Sequence, residues 1–523
     1  MAWFDEAVFY HIYPLGLLGA PKINEYAAPV HRLRALAPWI EHLASLGVTA
    51  LYIGPLFQSV GHGYETTDYR TVDARLGDND DLVWLVQTCH SRGIRVVLDA
   101  VFNHTGRDFF AFRDLKEKRE TSPYRDWYRG VNLWGDNSYH DGFSYETWGG
   151  YDLLPKLNLQ NPAVRQYHLD TVRYWVEAFD IDGLRLDAAD VLDFAMLREL
   201  KALSDTVKPD FWLMGEVIHG EYARWLDAGL HSVTDYPLHK ALFSGHNDRN
   251  YFEIAHTLNR FYQSGVDPRR LYTFTDNHDV DRLISKLNRR AAWLPVQILA
   301  FTLPGIPSVY YGSEFAIEGK KTRSSDDPVR PALELSALQA GDPFYPDTIR
   351  ALAQLRRSES ALVYGDYRQV QLSTEQYAFL RGDILISVNC AASPAALRLP
   401  CENCVYRGVL HGKTATAQAD ALCIELDPDD GEIWIPAARV KADFAPIAVP
   451  KPPVREAAPA PQSAAAPLPP VPDKPYEQMS VPELQSAILA KLAHNGPVTD
   501  RMRREVAENV YRDSLLNWVK SFR

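Results

Sequence analysis

Short apolar runs recur along the first two thirds of the chain, and between them apolar residues fall at helical spacing. The runs are Ala7–Tyr13, Val48–Ile53, Ile94–Ala100, Gly183–Asp187, Phe211–Glu216, His231–Asp235, Leu271–Thr275 and Ser308–Tyr311. They alternate little between polar and apolar, as strands buried on both faces do. Runs of this kind separated by helices predict an α/β fold with a parallel sheet, closed as a (β/α)8 TIM barrel. In such a barrel the active site lies at the C-terminal ends of the strands. Several of these runs end in a polar cluster.

The pattern breaks in four places. Residues 105–155 are too long and too aromatic for a plain loop, with Trp127, Tyr128, Trp134, Tyr139, Phe143, Tyr145, Trp148 and Tyr151. They predict a small inserted domain B within a catalytic barrel spanning 1–358, and Trp148 or Tyr151 is a candidate sugar contact. Residues 359–442 change to short alternating runs, such as Gln376–Leu380, Asp383–Asn389, Ala396–Leu399 and Glu432–Ile435. These predict a C-terminal antiparallel β-sandwich domain. Residues 443–475 are rich in Pro and Ala and cannot bury a core, so an extended linker is expected. In 476–523, Ser480-Val-Pro-Glu483 is a capping box. Leu484, Ile488 and Leu492 follow at helical spacing. Asn495-Gly-Pro497 ends that helix, and Thr499 or Asp500 starts a second with Met502, Val506, Val510, Leu516 and Val519. Two short helices bury little surface alone. This module is expected to dock, self-associate or bind a protein partner.

Composition removes several classes of function. A net charge of −12 argues against nucleic acid and anionic membranes as partners. No apolar run is long enough to span a membrane. Met1-Ala-Trp-Phe-Asp-Glu6 has no basic or apolar leader segment, so a cytoplasmic protein is expected. Five cysteines suit a reducing compartment. Cys401-Glu-Asn-Cys404 is half of a zinc signature with no second pair to complete it.

The chemistry concentrates in four motifs: Asp99-Ala-Val-Phe-Asn-His104, Gly183-Leu-Arg-Leu-Asp187, Gly215-Glu216-Val217 and Phe274-Thr-Asp-Asn-His-Asp279. Retaining cleavage of a glycosidic bond needs one carboxylate as nucleophile and one carboxylic acid to protonate the leaving oxygen. Their surroundings must push their pKa values apart. Arg185 and Asp187 share a strand face at a spacing of two, so the guanidinium would orient Asp187 and keep it ionised. Glu216 ends an apolar run, which favours the neutral form an acid needs. Asp279 could grip sugar hydroxyls or stabilise developing positive charge. His104 and His278 fit as hydrogen-bond donors to the same sugar.

These motifs, in this order, resemble those of the α-amylase family of glycoside hydrolases (family 13), over about residues 7–440. The resemblance implies Asp187 as nucleophile, Glu216 as general acid/base and Asp279 as transition-state stabiliser. It implies Arg185, His104 and His278 around the reacting glucose. His62-Gly63-Tyr64 with Asp68 resembles the loop whose tyrosine stacks on that glucose. Asp327-Pro-Val-Arg330 resembles an Asp/Arg pair that holds it, one residue tighter than usual. Asn103 resembles a calcium-binding asparagine; no cofactor is required by the chemistry itself. Leu154-Pro-Lys-Leu-Asn158 resembles the fifth conserved region of neopullulanases, cyclomaltodextrinases and maltogenic amylases.

Two departures stand out. Asp190-Val191 replaces a Lys-His pair that contacts the leaving-group side in many members. The first strand follows Met1 so closely that the N-terminal pairing domain of neopullulanase-type enzymes is not expected. The implied activity is hydrolysis of α-1,4 bonds in maltooligosaccharides. Transglycosylation and exo-acting glucosidase action share the same residues, and a non-catalytic glycan-binding or assembly role is the reading from another class.

Overall fold

The computed structural model describes residues 2–323, 325–439 and 474–494, together with 506, 515, 519 and 520. The chain divides into two compact units, residues 1–452 and 453–523.

In the first unit eight parallel strands close a barrel. They are β1 (Phe9–Ile12), β2 (Ala50–Ile53), β3 (Arg95–Ala100), β4 (Gly183–Leu186), β5 (Trp212–Gly215), β6 (Ser232–Thr234), β7 (Leu271–Phe274) and β8 (Ile306–Tyr310). Each expected run contains or overlaps its strand. Neighbours in sequence are neighbours in the sheet, and β8 closes onto β1 through Phe9 opposite Ser308. Alternation along each strand divides the core. Phe9, Tyr52, Val97, Trp212, Met214, Tyr272 and Phe274 fill the barrel interior. Tyr10, Ile12, Leu51, Ile53, Val96 and Leu98 belong to the larger core beneath the helices. Trp212 is fully buried, with its ring centroid 4.7 Å from that of Phe9.

Helix ends follow from local chemistry. Asp78 caps Asn79–Ser91 by a reciprocal box with Asp81, Asn161 caps Pro162–Phe179, and Asp193 caps Phe194–Val207. These caps pin the loops at the strand ends, where the polar motifs lie.

The aromatic insertion packs on itself through Phe112, Tyr128, Phe143 and Tyr145. Trp134 is 94% exposed and Tyr151 67%. After the barrel, a six-stranded antiparallel sheet includes Gln376–Arg381, Ile384–Asn389 and Asp430–Pro436. One face, with Phe379, Ile386 and Ile433, joins the barrel core. The other, with Leu380, Leu385 and Trp434, packs against Leu397, Leu399 and Leu422 of a two-stranded sheet, Ala395–Pro400 with Ala421–Leu426. Four strands of this region escape the sequence pattern: Tyr367–Leu372, Val405–Gly408, Thr414–Thr416 and Ala421–Leu426. The first three are exposed or short, so their apolar positions are too few to stand out, whereas Ala421–Leu426 buries four apolar residues of six and was simply missed. Among the described residues, no third metal-ligating side chain joins Cys401 and Cys404.

In the second unit the helix Val481–His494 begins where expected. The Ser480 backbone N–H and hydroxyl both donate to Glu483, at 2.7 and 2.8 Å. Leu484 and Ile488 are buried in one cluster with Val506, Leu515 and Val519. The expected linker, the Asn495–Pro497 break and Met502, Val510 and Leu516 lie outside the described residues. No described helix is long and apolar enough to cross a membrane.

Candidate active site

The ends of β3, β4 and β5 bring three carboxylates to one guanidinium. Asp99 stands opposite Arg185 in the β3–β4 register. Arg185 Nη1 donates to Asp99 Oδ1 and to Asp187 Oδ1, both at 2.8 Å, and Nη2 lies 2.8 Å from Glu216 Oε2. The Arg185 side chain is 3% exposed. Asp187 and Glu216 are buried. The strand ladder fixes the two: the Asp187 N–H donates to the Ala100 carbonyl and the Glu216 N–H to the Leu186 carbonyl.

The turn after β4 adds a further clamp. Ala188 is left-handed, φ 46, a costly conformation for a residue with a side chain. There its N–H donates to Glu216 Oε2 at 3.0 Å. The Tyr236 hydroxyl, beyond β6, donates to Glu216 Oε1 at 3.3 Å and accepts from Asn277.

Electrostatics follow from crowding. Burial pushes the Asp187 carboxyl well above its ordinary value. Arg185 pulls the other way, while Glu216, Asp99 and Asp279 add to the rise. At Asp187, burial and the neighbouring carboxylates therefore outweigh the single guanidinium, contrary to the expectation that Arg185 keeps it ionised.

The second half of the site follows β7. His278 Nε2 lies 3.0 Å from Asp279 Oδ2 and makes a short contact with the Tyr64 hydroxyl. Arg330 donates to Asp279 Oδ1 at 2.8 Å and to the His278 carbonyl at 2.9 Å. Burial raises the Asp279 carboxyl, but His278, Arg330 and Arg185 outweigh it and hold the group well below the usual carboxylate range. The Tyr64 hydroxyl also donates to Asp99 at 3.0 Å, which joins the two halves. Its ring lies parallel to His278, with centroids 5.6 Å apart. Gly63 makes this possible. Its φ is 100, and a Cβ there would meet Pro55 Cγ at 2.2 Å.

Of the expected residues, Asp187, Glu216, Asp279, Arg185, His278, Tyr64 and Arg330 are brought together. Three others are placed differently. Asp68 lies on the outer strand of the hairpin Phe57–Ser59/Thr66–Val72. Its carboxylate accepts from Arg70 N and Thr71 Oγ1, both at 2.8 Å, and it lines a hollow that includes none of the catalytic carboxylates. Asp327 pairs with Lys22 on the surface instead of with Arg330. Asp326 takes its expected place, with Oδ2 3.0 Å from Arg330. The motif therefore reads Asp-x-x-x-Arg, which removes the tight spacing. His104 is buried and uses both ring nitrogens within the protein. Nε2 meets the Tyr64 carbonyl at 3.1 Å and Nδ1 the Asn103 amide at 3.3 Å. Burial lowers it to about 3, so it is neutral and positions the Tyr64 backbone.

Sequence reasoning gave no role to Asp99, Tyr52, Tyr13 or Tyr236. Tyr52 donates to Asp99 at 2.9 Å, and Arg330 stacks over Tyr13 at 4.8 Å. Asp99 opens a quoted motif, and its place opposite Arg185 in parallel strands was the available signal.

Asn103 was the candidate calcium ligand. The hollow beside it is lined by Arg129, Lys156, Gln160 and Asp193. Calcium takes six to eight oxygens. Two cations stand here against one carboxylate, and Asp193 already caps a helix. The residues present do not fit that ion.

Comparison with known proteins adds family context. The family described as "Alpha amylase, catalytic domain" matches residues 32–342. A cyclomaltodextrinase of Bacillus sp is 32% identical over 446 residues, covering 79% of this chain and 77% of the relative. Neopullulanase 2 of Thermoactinomyces vulgaris is 32% identical over 405 residues, covering 72% of this chain and 68% of the relative. A solved cyclomaltodextrinase structure superposes with a TM-score of 0.74 at 28% identity, covering 83% of this chain and 78% of the other.

Proposed function

This chain belongs to the α-amylase family of glycoside hydrolases, and from that premise we propose a retaining hydrolase of α-1,4 bonds in maltooligosaccharides. One observation carries the reading: Arg185 holds Asp187 and Glu216 side by side at the strand ends, facing Asp279. In the first step Glu216 gives the proton to the departing oxygen as Asp187 attacks the anomeric carbon. In the second Glu216 takes a proton from water, which opens the ester to Asp187 and releases the sugar with its configuration retained. Asp279, ionised and fixed by Arg330, stabilises the positive charge on the ring. Tyr64 offers its ring face to the same glucose. The relatives named above favour cyclodextrins and pullulan as further substrates. Interception of the ester by a sugar hydroxyl would give transfer from the same residues.

The test is product analysis with maltoheptaose, a cyclodextrin and pullulan, with Asp187→Asn as blank and the first-formed anomer read by NMR. Ring opening with α-configured products is expected. First products of β configuration would overturn the retaining assignment.

We place the enzyme in the cytoplasm, where its substrates would be imported short glucans. A relative at 28% identity is named an intracellular maltogenic amylase of Bacillus subtilis. Calcium has no part in the proposal. Treatment with EDTA should leave melting temperature and turnover unchanged. The segment 476–523 is proposed to self-associate or bind a protein. Removing residues after 445 should lower the mass seen by light scattering by more than the deleted segment, with activity retained.

A further inference from the structure

We propose that a hollow on the far side of the hairpin that carries Tyr64 is a second binding site for neutral α-glucan chains, an inference that rests on the glucan reading above. The hollow has a volume of about 600 Å³ and is bounded by Tyr26, Gln58, Asp68, Asp108, Phe110 and Arg113. That is the size range of a small-ligand site.

Its walls combine fixed ring faces with uncommitted polar groups. Tyr26 is 48% exposed and Phe110 36%. Tyr26 is held at its backbone and Phe110 by neighbouring rings. Tyr26 is held in the left-handed region, φ 53, with its N–H donating to Asn24 Oδ1 at 2.9 Å. Asn24 is buried, and its amide donates to Gln58 Oε1 at 2.7 Å and to the Ser59 carbonyl at 3.0 Å. A buried polar clamp thus spends a strained residue on presenting an aromatic ring to water. Phe110 rests on Phe109, Tyr124, Trp127 and Tyr167, with centroids 4.5 to 5.8 Å away. Asp108 and Arg113 line the same hollow, and their exposed side chains have no hydrogen-bond or ion-pair partner among the described residues.

This chemistry selects its ligand. A pyranose presents an apolar face to an aromatic ring and hydroxyls at its edge, which a carboxylate and a guanidinium can pair. With both signs of charge present, a neutral polyol is favoured over an anion or a cation. The position favours a polymer. The turn of the hairpin aims Tyr64 at the carboxylates, and its outer strand gives Asp68 to the hollow. A chain held there keeps its other segments near the cleft at raised effective concentration. Asp68 thereby acquires a place that the catalytic group does not give it.

The test uses Tyr26→Ala and Arg113→Ala in the full chain. Turnover of maltotriose, too short to reach both sites, should stay within about twofold and reports that the variants fold. KM on amylopectin should rise at least about fivefold. In gels containing amylopectin, Asp187→Asn should be retarded, and adding Tyr26→Ala to it should remove most of that retardation. Unchanged KM and retardation would overturn the second site and leave the hydrolase reading intact. Retardation that depends on Tyr26 in a protein without maltotriose turnover would keep the site and sink the hydrolase reading.

Discussion

Two arginines organise the two halves of the site, and they do so from different kinds of backbone. Arg185 stands on a barrel strand, almost fully buried, and meets three carboxylates on neighbouring strand ends. Arg330 stands just past a single turn, Asp327–Val329, with its side chain 11% exposed, and meets Asp279 and Asp326. On the strand side, register fixes every partner. On the loop side, side chains fix the backbone as much as the reverse. The strand cluster is over-supplied with negative charge, and the Asp187 carboxyl is raised. In the loop cluster the cations prevail and Asp279 stays ionised. A raised and a lowered carboxyl thus arise from the same residue types by different ratios of carboxylate to cation.

The strongest way to break this contrast is Asp187→Asn. Turnover should fall by at least about 10³-fold, as for loss of a nucleophile. Stability should move the other way. A carboxyl raised above its unfolded pKa costs stability when ionised, a cost present at neutral pH and absent below the unfolded value. The variant should therefore melt roughly 1–3 °C higher at pH 7 and no higher near about pH 3.5. A lower melting temperature at neutral pH would mean that Arg185 is not over-supplied.

Arg330→Lys probes the other half. It keeps the charge but loses the planar fork that grips Asp279 and the His278 carbonyl. The expected loss in kcat/KM is about tenfold, worth about 1.4 kcal/mol. Arg330→Leu should also move the acid limb of the pH profile upward. Asp279 is held low by its cations, so without one it takes up a proton at higher pH. An acid limb that does not move would remove Asp279 from the groups that set it.

The same contrast explains what was legible in the sequence. The barrel strands are buried on both faces, so their runs stand out, and the residues that end them inherit their direction. Arg185 and Asp187 could be placed on one face by their spacing, and Glu216 at the end of an apolar run, while their roles came from the family resemblance. Asp68 lies on a hairpin whose strands shift register between Phe57 and Ser59, so no count from Tyr64 predicts its side. His104 follows a strand, but domain B and Tyr64 decide what its ring meets. Tyr236 and Tyr52 were hidden for another reason: aromatic residues at strand ends look like core until a neighbouring strand supplies the carboxylate. In the C-terminal region, Gln376–Arg381, Ile384–Asn389 and Asp430–Pro436 were readable because nearly every residue is buried, Val405–Gly408 and Thr414–Thr416 were too short, Tyr367–Leu372 is too exposed, and Ala421–Leu426 was missed although its alternation was there to read.

The finest test separates two adjacent aspartates. Asp326 gives Oδ2 to Arg330 at 3.0 Å and Oδ1 to Lys321 at 2.9 Å, and its side chain is 34% exposed. A charge-assisted bond contributes about 1.5–3 kcal/mol when dry, and partial exposure should reduce that to about 1 kcal/mol. Asp326→Asn should therefore raise KM about fivefold with kcat little changed, because Arg330 is left to settle on Asp279 alone. Asp327 pairs with a lysine that is 78% exposed and is itself 58% exposed. Such pairs contribute little, so Asp327→Asn should stay within about twofold in both constants. Equal effects would mean that the turn is free to exchange its aspartates. The reverse order would restore the tighter Asp327 pairing and with it a different path for the loop that carries Arg330.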